Sequence, residues 1–324
     1  MKLSKAAESI TTSPILIIAA EINKKIQQGE KVFNLTVGDF NSQIYPIPDR
    51  LTELTIEAYK QHETNYPGAF GIDQLRQAIM DLLKDYCEID VTMNEVQVAS
   101  GSRPLIYSFY KTIVDPGDKV IYPVPSWNND YYTEMHSAEA VIVETSPETN
   151  FFPTAESLRP VIKDAVLLSL CSPQNPTGTI LDKQQLLDIC NLVVEENKRR
   201  SSDEKPLYVM FDQVYWLLTF GDSNFYHPLA VCPEIKPYAV FIDGISKSLA
   251  GTGVRVGWAT GPESIMAKMR AFIAHIGAWA PKPEQIATGL FLAEKDSVGE
   301  FLTKFRAQLQ GSLDCFYQGF KALK

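Results

Sequence analysis

The chain has 324 residues, 45% of them apolar, enough for one large domain and a smaller one around a sizeable core. Its 39 acidic against 30 basic residues give a net charge of −9, with no basic block interleaved with aromatics, which argues against a nucleic-acid partner. Five scattered cysteines (Cys87, Cys171, Cys190, Cys232, Cys315) form no C-x-x-C pair and suit a reducing cytoplasm, and four isolated histidines (His62, His136, His227, His275) offer little for a metal site or a Ser-His-Asp triad.

The first apolar run, PILIIAA at 14–20, is far shorter than a membrane span. It lacks a small-residue cleavage site and continues into charged AEINKKI, so it reads as an amphipathic helix rather than a signal peptide or membrane anchor. The segment DQLRQAIMDLLKDYC at 73–87 sets Leu75, Ile79, Leu82, Leu83 and Tyr86 on one face and predicts a second helix. Short β-branched runs then alternate with helical patterns: VIY at 120–122, AVIVE at 140–144, AVLLSLC at 165–171, LYVMF at 207–211 and AVFID at 239–243. Between the third and fourth, DKQQLLDICNLVVEENKRR at 182–200 predicts a helix opened by Asp182 and Gln185 in a capping box and closed by basic residues that suit its dipole. With no internal repeat and no long linker, the alternation predicts an α/β fold. Its central sheet is mostly parallel with helices on both faces, and a smaller α/β domain packs closely against it.

Ligand sites in open parallel sheets lie beyond the C-terminal strand ends, where four groups stand out. Ser100, Gly101 and Ser102 precede an expected helix whose free N–H groups suit a phosphate, although an ordinary capped helix has the same pattern. CSPQNPTG at 171–178 holds Asn175 in a rigid turn, which is also what a plain strand-to-helix loop requires. Asp212 follows LYVMF, and a carboxylate there is costly unless a cation or strong donor meets it; a structural ion pair would serve equally. Lys247 follows AVFIDGIS with Arg255 beyond it, and alone such a lysine is usually solvated. In this order, Asp212, Lys247 and Arg255 with a phosphate-ready helix start supply what an aromatic aldehyde carrying a phosphate requires, namely pyridoxal phosphate.

These residues resemble the class I/II aminotransferases, the pyridoxal-phosphate enzymes with the aspartate-aminotransferase fold (fold type I). The resemblance is carried by NYPGAFGIDQLRQAI at 65–79, ASGS at 99–102, PSW at 125–127, SPQNPTG at 172–178, DQVY at 212–215 and SKSLAGTGVRVGW at 246–258. It extends to SPI at 13–15 and LTVGDF at 35–40, and so over nearly the whole chain.

The resemblance implies that Lys247 carries the cofactor as a Schiff base. Because a free lysine has a pKa of about 10.4, only on the order of one in 2,500 is neutral at pH 7, so the site must disfavour the ammonium form. Once released, Lys247 is the expected base moving the substrate α-proton to the cofactor's C4′ carbon. Asp212 is expected to hold the pyridine nitrogen protonated, Asn175 and Tyr215 to donate to the phenolic oxygen, and Trp127 to stack on the ring, a position a core aromatic would also fill. Arg255 is expected to fork onto the phosphate, helped by Gly101 and Ser102, with Arg103 and Ser246 nearby. By the same resemblance Tyr66 reaches the phosphate of a neighbouring subunit, implying a homodimer, and Gly38 lies with Asn175 by the substrate carboxylate.

Two positions depart from the family pattern. Many members carry a phosphate-binding serine three residues before the lysine, where this chain has Gly244. Only 77 residues follow Lys247, fewer than the distance at which the family's arginine for the substrate α-carboxylate usually lies, and Arg306 is not in the matching context. The expected organisation is an N-terminal segment 1–44 belonging to the smaller domain, a large cofactor-binding domain at 45–282, and the start of the C-terminal small domain at 283–324, apparently incomplete. The expected function is a cytoplasmic aminotransferase acting on an α-amino acid, aspartate-like as a first reading, and a 2-oxo acid by a ping-pong cycle. The alternatives are a β-lyase or decarboxylase on the same fold, or a non-catalytic cofactor-binding module. No metal, membrane or nucleic acid is expected.

Overall fold

The computed structural model describes residues 2–4, 7–8, 10–12, 14–36 and 38–323; Ser13 of SPI and Val37 of LTVGDF lie outside the described residues. Among the described residues, seven strands, β1 (Val96–Ala99), β2 (Lys119–Val124), β3 (Glu139–Glu144), β4 (Ala165–Cys171), β5 (Tyr208–Asp212), β6 (Ala239–Gly244) and β7 (Gly257–Thr260), form one sheet. Its order is β1-β7-β6-β5-β4-β2-β3. Only β7 runs against its neighbours; β2 through β6 pair in parallel.

The sheet is buried on both faces at its centre, which is why β4, β5 and β6 read as continuous apolar runs rather than alternating ones. Successive residues nevertheless point to opposite sides. Val209 and Phe211 of β5 and Phe241 of β6 join a core with Leu186, Ile189 and Val193 of the helix Lys183–Arg199. Met210, Val240 and Ile242 join a second core with Leu105 and Phe109 of the helix Ser102–Ile113 and Met266 and Met269 of the helix Glu263–Ile276. At the β1 end, Val96, Val98 and Trp258 pack with Leu75, Ile79 and Leu83 of the helix Asp73–Cys87 and with Ala287 and Phe291 of the helix Lys282–Ala293. Gly289 lets those two helices touch: a Cβ there would stand 3.0 Å from the backbone of Leu75.

The predicted helices at 73–87 and 182–200 form as Asp73–Cys87 and Lys183–Arg199, with two corrections in detail. Tyr86 is half exposed, its ring edge against Trp216 rather than inside the core. The capping box is half formed. Asp182 accepts from Gln185 N at 2.9 Å, but the Gln185 side chain turns away to the carbonyls of Phe152 and Pro153. The apolar N-terminal run does form a helix, Pro14–Gln27, yet of its residues only Ala19 is buried, and Ile15, Leu16, Ile17 and Ile18 are exposed. Among the described residues, no helix is long and apolar enough to cross a membrane.

Candidate active site

Because β7 alone is reversed, the ends of β1, β4, β5 and β6 and the start of β7 meet at one edge of the sheet. Gly257 lies opposite both Ala99 and Gly244. A cavity of about 340 Å³ sits at this edge, within the range of small-ligand sites. Asp212, Lys247 and Arg255 line it together, as do Ser102, Arg103 and Ser246. Trp127, Asn175, Tyr215 and Gly38 complete the sequence-predicted set that the cavity gathers.

Lys247 sits in the single turn Ile245–Ser248 that follows β6, and its Nζ donates to the carbonyl of Gly38 and lies 5.7 Å from the centre of the Tyr215 ring. Burial pulls its ammonium pKa down and Arg103 pulls the same way, against the opposing charges of Asp39 and Asp212. Asp212, the last residue of β5, is buried, and burial pushes its carboxyl up to about 6. Among the described residues only the N–H of Val214 donates to it, at 3.1 Å, so a buried acceptor facing the cavity is left largely unmet. Next along the edge, Asp243 of β6 accepts from Trp216 Nε1 and from Gly244 N, both at 2.7 Å, and burial pushes it up to about 8.

The helix Ser102–Ile113 opens at the expected place, with Gly101 ahead of it at φ 82°. The Arg255 guanidinium fills the space a Cβ on Gly101 would need, and it donates to Thr252 O at 2.7 Å and Ser100 O at 3.1 Å. Arg103 stands apart from this cluster, its guanidinium 4.9 Å over the Trp127 ring. On the other side, Asn175 donates to the Tyr215 hydroxyl at 3.3 Å, and burial holds that phenol well above its ordinary range. Tyr66 is 82% exposed, edge-on to Trp279, and lines no part of its own chain's cavity. Arg306 is likewise absent from the lining and donates to Leu217 O at 2.6 Å.

The cavity also includes residues outside the predicted site set. Ile15 and Leu16 of the N-terminal helix contribute, as does Thr36. Asn129 and Ser169 line it through a buried hydrogen bond of 2.7 Å, and Thr252 donates to Asp39 at 2.6 Å beside Lys247. The Asn129–Ser169 and Asp39–Thr252 pairs each join residues distant in sequence, so a local motif carries no trace of the pairing.

Comparison with known proteins agrees with this arrangement. The family model described as aminotransferase class I and II matches residues 30–324. The chain belongs to the class I and II aminotransferases. An aspartate aminotransferase of Bacillus sp. (strain YM-2) is 28% identical over 95% of this chain and 76% of its own length. A probable aspartate/prephenate aminotransferase of Rickettsia felis is 30% identical over 82% of this chain, the match spanning 63% of that relative. The structure of the aspartate aminotransferase from Thermus thermophilus with maleate superposes with a TM-score of 0.91 at 26% identity, covering all of this chain and 81% of that one. The fold is thus that of the aspartate aminotransferases, and the cofactor of this family is pyridoxal phosphate. The residues present fit it: a lysine shifted toward its neutral form, an unmet buried carboxyl that can accept from a protonated ring nitrogen, and a helix start with an arginine beside it. Among the described residues no group of three or more His, Cys, Asp or Glu is placed to hold a metal.

The two raised carboxyls make the stability of the cofactor-free protein depend on pH. Their folded-state pKa values, about 6 for Asp212 and about 8 for Asp243, lie above the unfolded value of about 3.9. Their contribution is therefore fully present below the unfolded value and is lost as pH rises through about 6 and then about 8. Burial holds His136 and His227 below the ordinary histidine value, and they act in the opposite sense up to about pH 6.5, so the thermal midpoint of the cofactor-free protein is expected to fall between pH 7 and pH 8.5, where the Asp243 contribution is lost, read by scanning calorimetry. A midpoint unchanged over this window would show that Asp243 ionises freely.

Proposed function

We propose that this aminotransferase takes the amino group from an aspartate-like donor and passes it to a 2-oxo acid in two half-reactions, as a homodimer in the cytoplasm. The observation that carries the reading is the pairing in one cavity of a lysine displaced toward neutrality with a buried, unmet carboxyl. Pyridoxal phosphate, when bound, supplies an aldehyde that condenses with amines and a ring that withdraws electrons from the bond being broken.

The chain's own groups divide the remaining work. Lys247, as the neutral amine, would hold the cofactor and would take the proton from the substrate α-carbon. Asp212 would accept from the ring nitrogen, and such charge-assisted bonds are worth about 1.5–3 kcal/mol. Asn175 and Tyr215 would donate to the phenolic oxygen, and Trp127 would cover the ring. Arg255, Ser102, Ser246 and the Gly101 backbone would hold the phosphate, and Gly38 and Asn175 would border the substrate.

An acidic donor is supported by the charge of the cavity, whose lining among the described residues includes two arginines, Arg103 and Arg255, and one carboxyl, Asp212, besides Lys247. With Arg255 at the helix start and Lys247 at the reacting carbon, Arg103 is left to meet a second substrate carboxylate from over Trp127. The named relatives are an aspartate aminotransferase and a probable aspartate/prephenate aminotransferase, and the Thermus thermophilus structure carries maleate, a dicarboxylate. A dimer is supported by the exposed Tyr66 and by the apolar run Ile15–Ile18 open on the surface.

Three outcomes are expected. The absorbance band of the bound cofactor forms in wild type, is absent in Lys247→Ala, and converts with aspartate; in Asp212→Ala the conversion slows by about 10²-fold or more with the fold retained. A band that forms but converts with no amino acid would overturn the transaminase reading. Arg103→Gln raises KM for aspartate about tenfold or more and leaves that for alanine nearly unchanged, since one charge-assisted contact of roughly 1.5–3 kcal/mol is lost; equal effects on both donors would return Arg103 to the cofactor. Sedimentation equilibrium is expected to give twice the chain mass, and a monomer at micromolar concentration would remove the cross-subunit role of Tyr66.

A further inference from the structure

The position three residues before Lys247, where many members of the family carry serine, is occupied here by Gly244. The surroundings of that glycine give it a function of its own. Gly244 and Gly257 stand opposite each other in the β6–β7 register. A Cβ on Gly244 would come within 2.9 Å of both Gly257 Cα and Val256 O. A Cβ on Gly257 would come within 2.6 Å of the carbonyl carbon of Gly101 and 2.8 Å of Ser102 N. All of these atoms are backbone, which cannot rotate aside as a side-chain tip would. Gly101 completes the row, since its own Cβ would occupy the place of the Arg255 guanidinium.

We propose that Gly244, Gly257 and Gly101 form a side-chain-free seam that fixes the distance between Lys247 and the phosphate cradle, so that glycine at 244 is a requirement of cofactor binding and not the loss of a phosphate donor. The inference rests on the cofactor reading above and concerns what that reading leaves open, the spacing of its two ends. Lys247 follows Gly244 by three residues in the turn that starts at Ile245, and Ile245 N donates to Val256 O at 3.2 Å, which ties that turn to the far side of the seam. Ser102, whose N–H would receive the Cβ of Gly257, opens the helix at the phosphate end. Three chain segments therefore stack backbone on backbone from the lysine to the phosphate. Pyridoxal phosphate is a nearly rigid molecule gripped at its aldehyde carbon and its phosphate, so widening the seam leaves each grip intact but mismatched to the other. Gly244, Gly257 and Gly101 act through Lys247, Ser102 and Arg255 and are positioning residues.

The test separates spacing from donor number. Cofactor-free wild type, Gly244→Ser and Gly257→Ala are titrated with pyridoxal phosphate by absorbance and tryptophan fluorescence, and with inorganic phosphate as a competitor. Gly253→Ala serves as the control, because a Cβ there meets nothing within 4 Å. Gly244→Ser is expected to weaken pyridoxal phosphate on the order of ten- to a hundredfold while its affinity for inorganic phosphate stays within about threefold, the effect of misplacement by roughly an ångström. Gly257→Ala, which displaces Ser102 N itself, is expected to weaken both, and Gly253→Ala neither. Thermal unfolding of each cofactor-free variant identifies loss of fold, and Gly244→Ala repeats the measurement with the Cβ alone. Gly244→Ser binding pyridoxal phosphate as tightly as wild type, or more tightly through its new hydroxyl, would overturn the seam. Failure of wild type to bind the cofactor would instead overturn the reading on which the seam depends.

Discussion

The carboxyl of Asp212 ends a strand whose neighbours are apolar on both sides, and the organisation of the site follows from what that placement costs. Removing a carboxylate from water is unfavourable by several kcal/mol unless strong donors replace the water, and the described residues supply one N–H, that of Val214. The result is a carboxyl pushed up to about 6, with burial outweighing the attraction of Lys247. Burial acts on Lys247 in the opposite sense and lowers it, against the pull of Asp39 and Asp212. One cause, exclusion of water from the strand ends, moves an acid and a base toward neutrality together. That is the electrostatic condition in which an uncharged amine is available for bonding and an unmet acceptor awaits a cationic ring.

The sheet converts this local condition into a site by bringing distant segments to one edge. With β7 reversed between β1 and β6, the chain must leave the edge after Gly244 and return to it at Gly257, carrying both Lys247 and Arg255 through a short excursion. The turn is tight enough to set Arg255 at φ 64°, a left-handed conformation unusual for a side chain of that size. The guanidinium is thereby directed back over Gly101 and onto the carbonyls of Ser100 and Thr252. The strained residue and the three close-packed glycines belong to one device, in which backbone proximity at the seam and backbone strain beside it fix a charged group against a helix start.

How much of this was legible in the sequence depended on whether a residue acts locally. The runs that became β2 and β4 to β6 were visible because two covered faces demand continuous apolar residues, and β3, largely exposed at the sheet's edge, was visible only as a β-branched run; β1 and β7 are four residues each and carry Gln97 and Thr260 in buried positions, leaving no period to read. Asp212 and Lys247 were visible as charges directly after apolar runs, an arrangement that burial makes expensive. Tyr86 and the Gln185 side chain were misplaced because the surfaces that receive them, Trp216 and the 152–153 carbonyls, belong to other segments. The Asn129–Ser169 pair was invisible for the same reason, each residue being unremarkable until the other is beside it.

The N-terminal segment shows how far that dependence on partners extends into the chemistry. Its described residues contribute no strand, yet Gly38 receives a hydrogen bond from Lys247, Asp39 accepts from Thr252, and Ile15, Leu16 and Thr36 wall the cavity. Part of the burial that lowers the lysine is therefore supplied by a segment docked from outside the sheet. Were that segment to move away, Lys247 would regain water and its pKa would climb back toward the ordinary lysine range. The basicity of the lysine is thus a property of the closed arrangement, and Asp39 tempers it: its carboxylate opposes the shift that burial produces, and its bond to Thr252 holds the segment in the place where the shift arises.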